Sequence, residues 1–157
     1  MSDINIINAT IEVVAEVLEC DIDELAANSK LVLDLGADSL DIVDLTFSLG
    51  KKFKIKMPQK TVIMRAEEEM GDLSRIVSGD GKLTALGAEL LCMGPNRYTS
   101  EEAYEGQSLM TIFTETTISH WANLCGAIIE SDLSGDELIQ KNIRETIKKD
   151  STAQVAC

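Results

Sequence analysis

An all-helical fold is predicted by three features of the sequence. The apolar mass is supplied by Val, Ile, Leu and Ala, with aromatics at only 4% of residues. Just two prolines interrupt the chain. Apolar residues recur at steps of three and four, the spacing that lines one face of a helix. At 157 residues the chain is long enough to bury a real core of helices packed on helices.

The first helix is expected near the N-terminus, where Ile4, Ile7, Ile11, Val14 and Leu18 share a face. Residues 20–30 hold Asp, Asn and Ser and read as a loop with a short turn. Asp38 is a good N-cap for a second helix from Ser39 to about Phe53, and Gly36 allows the tight backbone before it. On that helix Asp41, Asp44, Ser48 and Lys51 form a polar stripe; the apolar remainder makes an arc wide enough to touch several neighbours. Pro58 marks the exit.

A third amphipathic pattern covers residues 61–77, with Val62, Ala66, Met70, Leu73 and Val77 aligned. Ser78-Gly79-Asp80-Gly81 is a turn, followed by a helix with Leu83, Leu86 and Leu90 that Gly94-Pro95 ends. Residues 96–108 read as a polar surface loop. Thr117 caps a further helix in which Ile118, Trp121, Cys125 and Ile128 share a face. Ser134 and Glu137 form a capping box for the last helix, whose apolar edge is Ile139, Ile143 and Ile147. Lys148 and Lys149 suit its C-terminus, and residues 151–157 read as a flexible tail.

Charge narrows the function classes. The formal net charge is −13, and residues 1–49 hold eleven Asp or Glu against one Lys, whereas 50–66 hold six Lys or Arg and no acid. The acidic stretch repels a phosphate backbone, which argues against nucleic acid. It favours basic protein surfaces, though such charge also serves plain solubility. No apolar run reaches membrane-spanning length and the N-terminus has no signal-peptide pattern, so a cytoplasmic protein is expected.

Cys20, Cys92, Cys125 and Cys157 show no metal-ligand spacing and read as isolated thiols in a reducing compartment. His120, the lone histidine, precedes Cys125 by five residues, a spacing that does not align the two on one helical face. Asp80-Gly81 resembles the end of a calcium loop. Gly81 at its sixth position, however, puts Ile76 and Gly87 where acidic ligands are required. No metal site is expected.

The segment Asp34-Leu35-Gly36-Ala37-Asp38-Ser39-Leu40-Asp41 stands apart. A serine opening a helix is ordinarily its cap, but here Asp38 takes that position and leaves the Ser39 hydroxyl free. A phosphodiester on that hydroxyl would sit beside unpaired backbone N–H groups and the positive end of the helix dipole.

Gly36-Ala37-Asp38-Ser39-Leu40-Asp41-Ile42-Val43-Asp44-Leu45 closely resembles the modification motif of acyl carrier proteins of fatty acid and polyketide synthesis. The similarity runs from about Ile4 to Pro58 and resumes from Thr116 to Ile129, which resembles the family's closing helix. The resemblance implies an acyl-carrier-like four-helix bundle, three main helices and a short one, here with additional helices. Its acyl carrier domain would cover residues 1–131: a core of 3–58 and 116–130, with an inserted helical segment at 61–110. Residues 132–150 would add a C-terminal helix.

The resemblance also implies that Ser39 takes 4'-phosphopantetheine from coenzyme A through a separate phosphopantetheinyl transferase. The arm's thiol would hold the acyl chain as a thioester, and the protein itself, a monomer, would catalyse nothing. Asp38, Leu40, Asp41 and Asp44 match positions read by the transferase and by the enzymes that build and transfer acyl chains. Lys51 and Lys52 stand where the family is usually acidic, so they are expected to affect partner choice. Alternatively, Glu67, Glu68 and Glu69 fold back and neutralise them.

Two other readings are a polyketide-pathway carrier and a carrier-fold interaction protein without the arm. A small hydrolase or thiol enzyme lacks both a His partner and a glycine-rich oxyanion element.

Overall fold

A computed structural model describes the backbone of residues 2–155 and the side chains of residues 2–150. Among these residues the fold is built from α1 (Asp3–Val17), α2 (Ser39–Phe53), α3 (Val62–Met70), α4 (Ala85–Met93), α5 (Leu109–Glu115), α6 (Ile118–Ser131) and α7 (Gly135–Val155). Extended pairing is limited to isolated bridges, such as Val77 with Leu83 beside the expected turn at 78–81. None of the helices is long and apolar enough to cross a membrane.

The helices form two cores. In the first, α1, α2 and α6 enclose Val14, Leu49, Ile118 and Cys125, all inaccessible to solvent. Each large aliphatic side chain buried in this way contributes roughly 1.5–3 kcal/mol. In the second, α3, α4 and α7 close around Ala66, Ile76, Leu90 and Ile143, joined by Ile112 of α5. Leu124 and Ile128 of α6 meet Leu138 of α7 in a small cluster that links the two. Helices α3, α4 and α7 therefore build a core of their own.

A second link is made of backbone. The Gly135 N–H donates to the Lys56 carbonyl at 2.7 Å, and a Cβ at Gly135 would stand 2.4 Å from Pro58 Cδ and N. Only glycine lets α7 start this close to the exit of α2. Beside it the Asp136 carboxylate accepts from the Gln59 N–H at 3.2 Å and from Arg65 Nη2 at 3.0 Å. Farther along, the Glu69 carboxylate of α3 accepts from Gln140 and Arg144 of α7. The Gln140 bond leads in holding the Glu69 carboxyl below its usual range, and Arg144 adds to it against the opposing effect of burial.

Four elements differ from expectation. On α1 the buried face is Ile6, Thr10, Val13 and Val14, while Ile4 is 71% exposed. The helix has Ile or Val on nearly every side, so periodicity alone does not select the face. The pattern at 61–77 is not one helix: Gly71 takes a left-handed conformation and ends α3, leaving Leu73 exposed in a 3-10 turn. Residues 96–108 are more than surface, since Ala103 is buried and Tyr98 packs on the second core. After them comes α5, which no pattern announced.

At the C-terminus the α7 backbone is helical to Val155, so Lys148 and Lys149 precede its last turn. The side chains of the expected tail, residues 151–157, lie outside the described residues.

Candidate functional site

Ser39 is the first residue of α2, and the loop before it is pinned from both sides. The Leu31 N–H donates to the Thr116 carbonyl at 3.1 Å and the Leu33 N–H to Thr114 at 3.2 Å. Ala37 is buried and returns its N–H to the Leu31 carbonyl at 2.9 Å. Gly36 makes the turn with φ of 70°. Asp38 then closes a capping box with Asp41: the Asp41 N–H donates to Asp38 Oδ1 at 2.9 Å, and the Asp38 N–H to Asp41 Oδ2 at 3.0 Å.

This leaves Ser39 as expected. Its side chain is exposed, and its hydroxyl has no hydrogen-bond partner among the described residues. The backbone N–H groups of Ser39 and Leu40 are likewise unpaired, since the cap serves Asp41 and the Ile42 N–H donates to the Asp38 carbonyl. A nucleophilic oxygen at a rigid helix mouth, with two unused donors beside it, is what a phosphate ester needs.

Downstream of Ser39, α2 presents an apolar stripe to solvent. Leu40 is 78% exposed, Val43 66% and Phe47 67%. Lys51 continues the line, its Nζ 5.7 Å from the centroid of the Phe47 ring. The expected wide apolar arc is therefore only half used for packing: Leu45 and Leu49 are buried, and the stripe is left uncovered. Asp44 lies exposed on the flank, and Asp41 is held in the cap.

Lys52 pairs with Glu12 of α1 at 3.6 Å. Glu67, Glu68 and Glu69 form no ion pair with Lys51 or Lys52: Glu68 binds Lys60 and Arg65, and Glu69 binds Arg144. These glutamates do not neutralise the two lysines.

One side of α2 borders a cleft of about 890 Å³. Ile42, Thr46 and Phe47 form its near wall, and Trp121 of α6 part of its floor. The opposite wall comes from Val62 and Ile63 of α3, Leu91 of α4 and Ile139 of α7. Sequence reasoning missed this wall, because it exists only once α3, α4 and α7 pack together.

The remaining candidates resolve into structure. His120 is buried and closes a box with its own cap: Nδ1 accepts from the Thr117 N–H at 3.0 Å, while Nε2 faces Glu102 at 3.1 Å. Its ring stacks on Tyr98, whose hydroxyl bonds Thr116. Burial acts to raise the Glu102 carboxyl, but hydrogen bonds from Thr99 and His120 outweigh it and hold the group below its usual range. Burial pushes the Cys125 thiol up to about 12, and it raises Cys92 as well. Neither has the lowered pKa of a nucleophilic thiol. Cys157 lies outside the described residues. Among the described residues no cluster of His, Cys, Asp and Glu is placed to hold a metal ion.

Residues 8–68 match the family model described as a phosphopantetheine attachment site. The acyl carrier protein of Wolinella succinogenes is 42% identical over 66 residues, covering 84% of that relative and 42% of this chain. The chain belongs to the acyl carrier protein family. Acyl carrier proteins of Campylobacter jejuni subsp. doylei and of a Sulfurovum species are 50% identical over 46 residues and 53% over 47. The chain spans 60% and 63% of the length of these two relatives, which in turn match 29% and 30% of it. No solved structure gives a significant match. The family model runs from α1 into α3, so α4 to α7 lie beyond the region that it matches to acyl carrier proteins.

Proposed function

We propose that this chain carries acyl intermediates of fatty acid or related lipid biosynthesis as thioesters on a 4'-phosphopantetheine arm attached to Ser39. The observation that carries this reading is the exposed, unbonded Ser39 hydroxyl at the mouth of α2, inside the segment that matches the family model. In attachment the Ser39 oxygen forms a phosphodiester with the pantetheine phosphate of coenzyme A. The pyrophosphate bond breaks, the adenosine bisphosphate half departs, and the hydroxyl proton is lost. The residues fit the group: nothing covers Ser39, and the unpaired amides of Ser39 and Leu40 face the added charge.

Once attached, the arm supplies the thiol that bears the acyl group. The chain's own part is presentation, without catalysis. Asp38, Leu40, Asp41 and Asp44 form the near part of a docking stripe for the transferase and for the enzymes that build and move acyl chains. Lys51 and Lys52 form the far part and change its sign. In this reading α5, which leads directly into α6 and is stitched to the loop before Ser39, takes the place of the family's short helix. The segment from residue 69 to the start of α5, which holds α4, is then what lies outside the family match. A monomer in the cytoplasm suits the role.

Intact mass tests the assignment. Protein co-expressed with a broad-specificity phosphopantetheinyl transferase should gain one arm, and Ser39→Ala should gain none. An arm on another serine, or no arm on folded protein with an active transferase, would overturn it.

A further inference from the structure

We infer that Tyr98 and Glu102 are positioning residues for Ser39: their segment, residues 96–103, clamps the corner from which the loop before Ser39 hangs. The inference rests on the carrier reading and adds to it a part that lies beyond residues 8–68, the family match.

The corner is the extended pair Thr116-Thr117 between α5 and α6. Backbone bonds tie the loop to it from both sides. The Leu33 and Leu31 N–H groups donate to the Thr114 and Thr116 carbonyls at 3.2 and 3.1 Å. In return the Ile118 and Ser119 N–H groups donate to the Ser29 and Ala27 carbonyls at 3.0 and 2.8 Å. The Leu31 carbonyl then receives the Ala37 N–H at 2.9 Å, and Asp38 and Ser39 follow directly. Whatever fixes this corner fixes the approach to Ser39.

The contacts of the clamp have set directions. Thr116 Oγ1 spends its one proton on the Ile112 carbonyl at 2.7 Å, so the 2.8 Å bond between Thr116 and Tyr98 is donated by the Tyr98 hydroxyl. Burial pushes the Tyr98 pKa up, which keeps that proton in place. His120 Nδ1 accepts from the Thr117 N–H, so the ring proton sits on Nε2 and points to the Glu102 carboxylate at 3.1 Å. Glu102 is held in turn by the Thr99 N–H at 2.7 Å. The Tyr98 ring lies on the His120 ring with centroids 4.4 Å apart, and Asn96 Nδ2 donates to the His120 carbonyl at 3.4 Å. The segment is rooted in the second core through buried Ala103, whose carbonyl accepts from the Cys92 thiol. Apolar side chains would cover the corner without a desolvation cost. Polar ones with fixed partners define a position instead.

The test measures two things on the full chain: arm transfer from coenzyme A by a broad-specificity phosphopantetheinyl transferase, and hydrogen exchange of the Leu31, Leu33 and Ala37 amides. Tyr98→Phe and Glu102→Ala each remove one bond of the clamp. Each should speed exchange at those amides roughly fivefold relative to the amides of α1, the effect of one net hydrogen bond. Each should also raise KM for the carrier and leave kcat unchanged, because fewer molecules present Ser39 correctly at any moment. Glu102→Gln keeps an oxygen for the bonds that Thr99 and His120 make at 2.7 and 3.2 Å, and should stay closer to wild type than Glu102→Ala. Ile143→Val, in the second core, is the comparison for plain loss of stability. It should lower the melting temperature without changing KM or the relative exchange of the three amides. Wild-type exchange in Tyr98→Phe and Glu102→Ala, or faster exchange with wild-type KM, would overturn the inference and leave the carrier reading intact. An equal rise of KM in Ile143→Val would overturn it too, since stability alone would then explain the effect. Wild-type protein that takes no arm, as read by mass, would remove the carrier reading whatever the exchange shows.

Discussion

Asp38 serves the backbone and the surface with a single carboxylate. Its Oδ1 accepts the Asp41 N–H at 2.9 Å, which frees Ser39 from capping duty, and its charge stands beside the hydroxyl to be modified. Two variants separate the two roles. Asp38→Ala removes the cap and should lower stability by about 1 kcal/mol. Asn caps nearly as well as Asp, so Asp38→Asn should melt close to wild type. Both variants should slow arm transfer, because both lack the charge that a basic transferase surface meets. Wild-type transfer rates for Asp38→Asn, measured at low salt, would show that the carboxylate acts only as a cap. This residue was legible in the sequence because a cap is a local device, with donor and acceptor three residues apart. His120 was only half legible: its bond to Thr117 is local, whereas Glu102 and Tyr98 reach it from a loop that sequence separation hides.

The same division holds for whole elements. Helix α2 has its expected bounds, because a strong cap and a sustained apolar period fix it without outside help. Helix α5 was missed: it is seven residues long, and its C-terminal end is held by bonds to Leu31 and Leu33, far away in sequence. The docking role proposed for α2 rests on its uncovered stripe and on the change of charge along it. Lys52 meets Glu12 at 3.6 Å with both side chains about half exposed, a pair of small worth in water, and Lys51 rests on Phe47. Neither is needed to hold the fold, so both remain available to oppose a basic docking surface. Changing Lys51 and Lys52 together to Glu should leave the melting temperature within a few degrees. It should also raise turnover by ordinary fatty acid synthase enzymes, most clearly at low ionic strength. A folded double variant with unchanged turnover at low salt would show that the lysines do not set partner choice.

At the scale of the molecule, two cores share one seam. The sequence displays the helices of the second core but not their union, because α3 and α4 are separated from α7 by the closing helix of the first. The units are joined by the cluster of Leu124, Ile128 and Leu138, by the junction where α7 begins against Lys56 and Pro58, and by Tyr98 and Glu102, which reach Thr116 and His120. The cleft lies between the units, so its width depends on that seam rather than on either core. Gly135 is the point of control. A methyl group there would meet Pro58 Cδ and N at 2.4 Å and the Lys56 carbonyl at 3.0 Å, and all three are ring or backbone atoms in a segment held by its own hydrogen bonds. The start of α7 would have to move away, weakening the bond from Gly135 to Lys56 and the grip of Asp136 on Gln59 and Arg65. Overpacking of this kind costs about 1–3 kcal/mol. Gly135→Ala should therefore melt measurably lower than wild type, with unchanged helix content by far-ultraviolet circular dichroism, because each core keeps its own contacts. It should still accept the arm on Ser39, which lies at the other end of α2. If Gly135→Ala melts like wild type, the seam yields without cost and the close approach of α7 to Pro58 does not hold the units together.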